Sequence, residues 1–160
     1  MKANAIVYTS KTGFTRQYAM MLGEKTGLLV YSLEEAISKL PAGCEVIYLG
    51  WIHAGCVQGF GKALKHFTVC GVCGVGLCDT GTMIGEVRKA TGISEDIPLF
   101  TLQGGMERGK LKGMDKLLIS MLTKGLASQK QRTPQDERML QLLSRDGSYV
   151  SEENLQAVLD

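Results

Sequence analysis

The chain has 160 residues, is 44% hydrophobic and is nearly balanced in charge, with 18 basic and 16 acidic side chains. That length suits one domain with a sizeable core, and no stretch approaches the roughly 20 consecutive apolar residues that a bilayer span needs. A net charge of +2 gives no reason to expect a nucleic-acid partner, and the N-terminus enters the fold without a signal-peptide pattern, so a cytoplasmic protein is the default expectation.

Taken in order, the elements alternate. Ala3 to Thr9 reads as a buried strand, and Thr15 to Lys25 as a helix that Gly27 ends. Leu28 to Ser32 is a short strand and Leu33 to Leu40 a brief helix stopped by Pro41. Glu45 to Trp51 is a buried strand, Phe60 to Phe67 a helix, Val72 to Cys78 a small-residue strand and Thr82 to Thr91 a helix. Ile97 to Leu102 is the fifth strand, and Leu111, Met114, Leu118, Met121, Leu122 and Gly125 fall at helical spacing on a fifth helix. Strands alternating with helices imply an α/β fold with a doubly wound, five-stranded parallel sheet, and the order 2-1-3-4-5 puts a ligand at the carboxyl ends of strands one, three and four.

Beyond Ser128 the pattern changes. Thr133-Pro134 reads as an N-cap followed by proline at the first helical position, with Asp136 and Glu137 in the positive first turn. Asp146-Gly147 turns the chain, and Ser151-Glu152-Glu153 starts a last short helix bearing Leu155, Val158 and Leu159. The expected division is therefore a domain over 1–128 and a helical C-terminal extension over 129–160, packed on the core.

Five cysteines, Cys44, Cys56, Cys70, Cys73 and Cys78, stand mostly in apolar or glycine-rich text. An odd number in such surroundings favours reduced thiols over a disulfide framework. Cys70-Gly71-Val72-Cys73 is a C-x-x-C with no second pair, so no metal site is expected there. Whether that pair has redox chemistry is left open; it precedes a strand, not the helix N-terminus that stabilises thiolates.

The most specific text is Tyr8-Thr9-Ser10-Lys11-Thr12-Gly13-Phe14-Thr15. A buried strand feeding a hydroxyl-rich turn and a helix N-terminus is a phosphate site, because the first helical N–H groups lack partners and carry partial positive charge. The glycines of a Rossmann loop are missing, since only Gly13 is present. A Walker loop is also missing: the nearest text, Gly55 to Ala63, is one residue too long and ends in Ala63. Neither Cys-x5-Arg nor the acidic residues of a receiver domain occur. A flavin mononucleotide (FMN) phosphate loop remains.

The run from Ile6 to Ala19, with Leu22 after it, resembles the flavodoxin signature. The usual loop is Ser/Thr-x-Thr-Gly-x-Thr, which Ser10, Thr12, Gly13 and Thr15 match; Lys11 and Phe14 depart from the commoner Gly and Asn. A charged residue at the first of these positions is similar to the menaquinone-dependent protoporphyrinogen oxidase branch. The resemblance covers roughly the first 128 residues and implies FMN as cofactor, held by Ser10, Lys11, Thr12, Gly13, Phe14 and Thr15.

It also implies two walls for the flavin ring. The loop after the third strand, Trp51-Ile52-His53-Ala54-Gly55, packs on one face, and the peptide between Ala54 and Gly55 presents a carbonyl to the reduced flavin N5. Trp51 either stacks on the ring or fills core, and His53 is either a cation near the ring or a solvated loop residue. Asp79, Thr80 and Gly81 form the second wall, where Asp79 and Thr80 bond the ring or cap the next helix. The loop after strand five, Gln103 to Gly113, reads as short, either a substrate-facing loop or a flexible solvated connection, where the resemblance implies for the oxidase branch a longer insertion tied to substrate and membrane contact.

Shuttling flavodoxins are strongly acidic, and this chain is not, so a higher potential is expected. Three functions compete: an FMN-binding flavodoxin-like electron-transfer protein or oxidoreductase, a protoporphyrinogen oxidase-like enzyme, and a flavin-free interaction module on the same fold. No catalytic residue is assigned, because a flavin carries such chemistry itself. The partner is a redox protein or quinone-like acceptor. A clip on the core, a homodimer contact and a flavin-side lid are the roles open to the tail.

Overall fold

Strands such as Ala5-Ile6-Val7 and Val46-Ile47-Tyr48-Leu49 are apolar at consecutive positions, so both faces of the sheet need covering by helices. The computed structural model describes residues 2–160. In chain order the elements are β1 (Ala5–Thr9), α1 (Phe14–Thr26), β2 (Leu29–Ser32), α2 (Leu33–Lys39), β3 (Glu45–His53), β4 (Cys56–Val57), α3 (Phe60–His66), β5 (Thr68–Gly76), α4 (Ile84–Thr91) and β6 (Leu99–Gln103). There follow β7 (Gly105–Met106), α5 (Gly113–Ser128), α6 (Pro134–Ser144), β8 (Gly147–Ser148) and α7 (Gln156–Leu159).

The parallel strands lie in the order β2-β1-β3-β5-β6, and the two-residue β4 pairs antiparallel with the end of β3. Counting only the long strands, this is 2-1-3-4-5, the doubly wound flavodoxin-like arrangement. Register aligns the carboxyl ends: Thr9 lies beside Gly50, and Trp51 beside Val75. β3 runs two residues past its expected end, where Ile52 and His53 pair with β4, and β5 begins four residues early, where Thr68 pairs with Glu45 and a bulge absorbs Cys70 opposite Val46–Ile47. α1 ends as expected, with Gly27 left-handed (φ 74°) and its N–H donating to the Gly23 carbonyl at 2.8 Å.

The chain packs as two units, one running up to Gly104 and taking in Val150–Asp160, the other Gly105–Tyr149. The breaks therefore fall at 104/105 and 149/150, not at 128/129. In the first unit, one core face gathers Tyr48, Phe60, Phe67, Val72 and Leu99. The other gathers Phe14, Tyr18, Leu22, Leu49 and Leu102, and Leu155 and Val158 from the C-terminal segment complete it. α5, which the apolar spacing reads as the fifth helix of the sheet, belongs to the second unit and has no buried residue. There it contacts α6, which starts as expected with Thr133 as N-cap and Pro134 at the first position, and Thr133 and Asp136 also form a reciprocal capping box. Arg108 ties this unit together, its backbone N–H donating to Asp146 at 3.0 Å and its guanidinium to the Leu143 carbonyl at 2.5 Å.

Tyr18 holds the C-terminal segment. Its hydroxyl donates to the Gln103 carbonyl at 2.6 Å and accepts from the Asn154 side-chain amide at 2.7 Å, while Lys25 pairs with Glu152 at 2.6 Å. Tyr18→Phe leaves a carbonyl and an amide without this partner inside the fold, at a cost of about 1–3 kcal/mol. The expected result is a lower urea midpoint together with faster proteolysis within 150–160. A midpoint equal to wild type would remove the clasp from Tyr18.

Candidate phosphate and flavin site

The turn between β1 and α1 has an unusual start for a 13-residue helix. Its N-cap is Gly13 at φ 104°, no side chain caps it, and its first turn holds no acidic residue. The N–H groups of that turn have no place in the helical ladder, and the positive end of the helix dipole is not offset. A Cβ on Gly13 would meet nothing within 4 Å, so its bare backbone faces open space. Gly13 N–H donates to Ser10 Oγ at 3.2 Å, which folds the loop back on itself. A cavity of about 410 Å³ is lined by Tyr8, Thr9, Ser10, Lys11 and Gly13 of the loop together with Arg16, Ser32 and Glu34, so that two cations outweigh one carboxylate. Phe14 is 5% exposed and part of the core, so only its backbone N–H is available to a ligand. Thr15 lies buried beneath the turn.

Below the loop is a polar knot. The Tyr48 hydroxyl lies 2.7 Å from the Gln58 carbonyl and 2.8 Å from Thr9 Oγ1. A carbonyl can only accept, so the single phenolic proton goes to Gln58, and Thr9 donates to the phenol oxygen. Burial pushes the Tyr48 pKa up to about 12 against the opposing bond from Thr9. Gly59, at φ 81°, passes so close that a Cβ there would land on the Tyr48 hydroxyl and 2.7 Å from Thr9 Oγ1. The end of β1, and with it the loop, is thus pinned to β3 and to the start of α3.

Two of the expected ring-side residues join this loop. The Lys11 ammonium lies 4.9 Å from the centre of the Trp51 ring, and His53 lies 5.4 Å from the same ring on its own strand. Trp51 is half-buried and already has a cation on its ring. The other expected residues lie in a hairpin after β3 and in the loop after β5. β3 continues through Ile52 and His53 into a two-residue hairpin, with Ala54 and Gly55 both at positive φ (49° and 79°), as a primed turn requires. Ile52 packs over Gly74 and Gly76, where a Cβ would come within 3.0 and 3.3 Å of its methyl. The hairpin leans on the end of α4: Cys56 Sγ meets the Ala90 carbonyl at 3.1 Å, and Val57 N–H donates to Thr91 Oγ1 at 2.9 Å.

Asp79 and Thr80 do not cap α4, whose N-cap is Met83 in the left-handed region with no side-chain bond. Thr80 Oγ1 instead accepts from Gln103 N–H at 2.9 Å, Gly81 N–H donates to the Thr101 carbonyl at 2.9 Å, and Thr82 Oγ1 donates to the Asp79 carbonyl at 2.6 Å. The loop after β5 is therefore fastened to β6, because a helix that starts two residues later than its apolar pattern leaves those hydroxyls to the loop. Burial pushes the Cys73 thiol up to about 12 and raises Cys70 and Cys78 as well, so none of the three is primed as a thiolate. Among the described residues no group of three or more His, Cys, Asp or Glu is arranged to hold a metal ion.

Tyr48 and Gly59 are the supporting residues that sequence reasoning missed. A glycine just ahead of a helical run was a visible turn signal, but nothing in the text links Thr9 to a tyrosine 39 positions on. Comparison with protein-family models and with curated proteins found no match.

Proposed function

We propose that this chain is an FMN-binding, flavodoxin-like electron-transfer protein or oxidoreductase, with the phosphate held by the Ser10–Thr15 turn. One observation carries the reading: an uncapped helix N-terminus with a bare Gly13 backbone, facing a cavity that Lys11 and Arg16 make positive. The donor set fits a phosphate dianion, offering first-turn amides, hydroxyls at Ser10 and Thr12, and two cations. When bound, FMN supplies one- and two-electron transfer; the chain's part is to hold and orient it and to set its surroundings. Lys11 lies on the side where the resemblance puts the ring, and a cation there favours the reduced anion, hence a potential above that of acidic flavodoxins. The partner on this reading is a redox protein or quinone-like acceptor in the cytoplasm.

A second reading, a protoporphyrinogen oxidase-like enzyme, gains from the second unit. The segment between the fifth strand and the C-terminal helix is not a short loop but the whole of Gly105–Tyr149, and the resemblance puts an insertion there in that branch. Titration of FMN into the apo protein, followed by flavin fluorescence, tests the first reading. Saturation at one FMN per chain, with riboflavin binding at least tenfold more weakly, is the expected result. A folded apo protein that leaves FMN free in solution refutes both readings.

A further inference from the structure

The cavity beside the phosphate turn extends to one side of it. β1 has β3 on one flank and β2 on the other. The cavity opens over the carboxyl ends of β1 and β2, where Tyr8 pairs with Ser32, and takes in Glu34 from the first turn of α2. The residues expected at a flavin ring, Trp51 and His53 on β3 and Asp79 and Thr80 after β5, are not among its walls. A phosphate group fills little more than two or three waters, at about 30 Å³ each, so a cavity of about 410 Å³ has room beyond it.

The two cations divide in the same way. The Lys11 ammonium lies over Trp51, on the β3 flank. Arg16 stands near α2: hydrogen bonds from Ser32 hold the Glu35 carboxyl below the usual carboxylate range, and the charges of Lys39 and Arg16 add to this. Glu34 says what else the cavity suits. A carboxylate repels a phosphate, but it accepts hydrogen bonds from hydroxyls. Where a dinucleotide crosses the end of a parallel sheet, an acidic side chain about 20 residues beyond the glycine loop takes a ribose hydroxyl. Glu34 has that spacing from Gly13 and stands just past the neighbouring strand.

We propose that this cavity holds the adenosine half of a flavin dinucleotide (FAD), with Arg16 on the second phosphate and Glu34 on the ribose hydroxyls. The proposal rests on the flavin reading above and names which flavin the site prefers. The phosphate shared with FMN stays on the Ser10–Thr15 turn, and the added nucleotide extends toward β2, away from the ring.

Titration of the full apo chain with FMN and with FAD, read by flavin fluorescence, tests it. FAD is expected to bind about tenfold more tightly than FMN, or better, and Glu34→Ala should bring that ratio close to one. Glu34 is exposed, so the variant should keep a thermal midpoint near that of wild type. A second measurement needs no variant: ADP should bind wild type several-fold more tightly than 2′-deoxy-ADP. Equal affinity for the two flavins, or tighter FMN, would overturn the proposal and leave the FMN reading standing. So would a ratio that Glu34→Ala does not change, or equal binding of the two ADP forms. A folded chain that binds neither flavin would bring down the flavin reading along with the proposal.

Discussion

Gly59→Ala is expected to cost about 3–5 kcal/mol. Two penalties combine. A φ of 81° is a left-handed conformation that an L side chain adopts at about 1 kcal/mol or more. The new Cβ would also occupy the place of the Tyr48 hydroxyl and press on Thr9 Oγ1. Tyr48 is wholly buried and cannot swing aside without giving up the Gln58 carbonyl, so the clash and the lost bonds come together. For a chain of this size that is a fall of roughly 10 °C in thermal midpoint. Gly43→Ala is the control: its φ of 78° is alike, but a Cβ there meets nothing, so only the conformational cost remains. Equal midpoints for the two alanine variants would show that the close approach is relieved for free.

The contrast between those glycines illustrates what the sequence could and could not show. Positive-φ turns are legible wherever Gly follows a helical run, as at Gly27, because backbone freedom is a local property. The close approach at Gly59 depends on Tyr48 and Thr9, which lie in two other strands, and periodicity carries no such information. Strand order and alternation were legible for the same reason as Gly27: apolar runs of strand length between helical patterns leave few topologies. The fifth helix misled because Met114, Leu118, Met121 and Leu122 have the spacing of a core-facing helix, and spacing cannot tell a face that meets a sheet from one left exposed. Leu155 and Val158, in a segment too short to score as an amphipathic helix, complete the core instead. At the site, the Ser10–Thr15 turn was legible from its hydroxyls and Gly13. The hairpin at Ala54–Gly55 was not, because Ala is a poor residue for a primed turn and only the bonds to Ala90 and Thr91 explain its leaning on α4.

Gly13→Val should separate the phosphate site from the fold. Because a Cβ at Gly13 meets nothing within 4 Å, the first added carbon makes no clash inside the protein, and the strain of φ 104° costs about 1–3 kcal/mol. The branched side chain would instead stand in the space that the first-turn amides of α1 face. A phosphate kept from them loses charge-assisted hydrogen bonds worth about 1.5–3 kcal/mol each, so losing two means an FMN affinity lower by two orders of magnitude or more. Riboflavin, which has the ring but no phosphate, should bind the variant as it binds wild type. Lys11→Met should fall between, since it removes one cation from the cavity but leaves the amides open. Isothermal titration of the three proteins with both ligands reads all of this. If Gly13→Val weakens riboflavin as much as FMN, the loss comes from a distorted turn, not from a blocked phosphate. If FMN binds the variant unchanged, its phosphate lies elsewhere, and the positive cavity between Lys11 and Arg16 serves another anion.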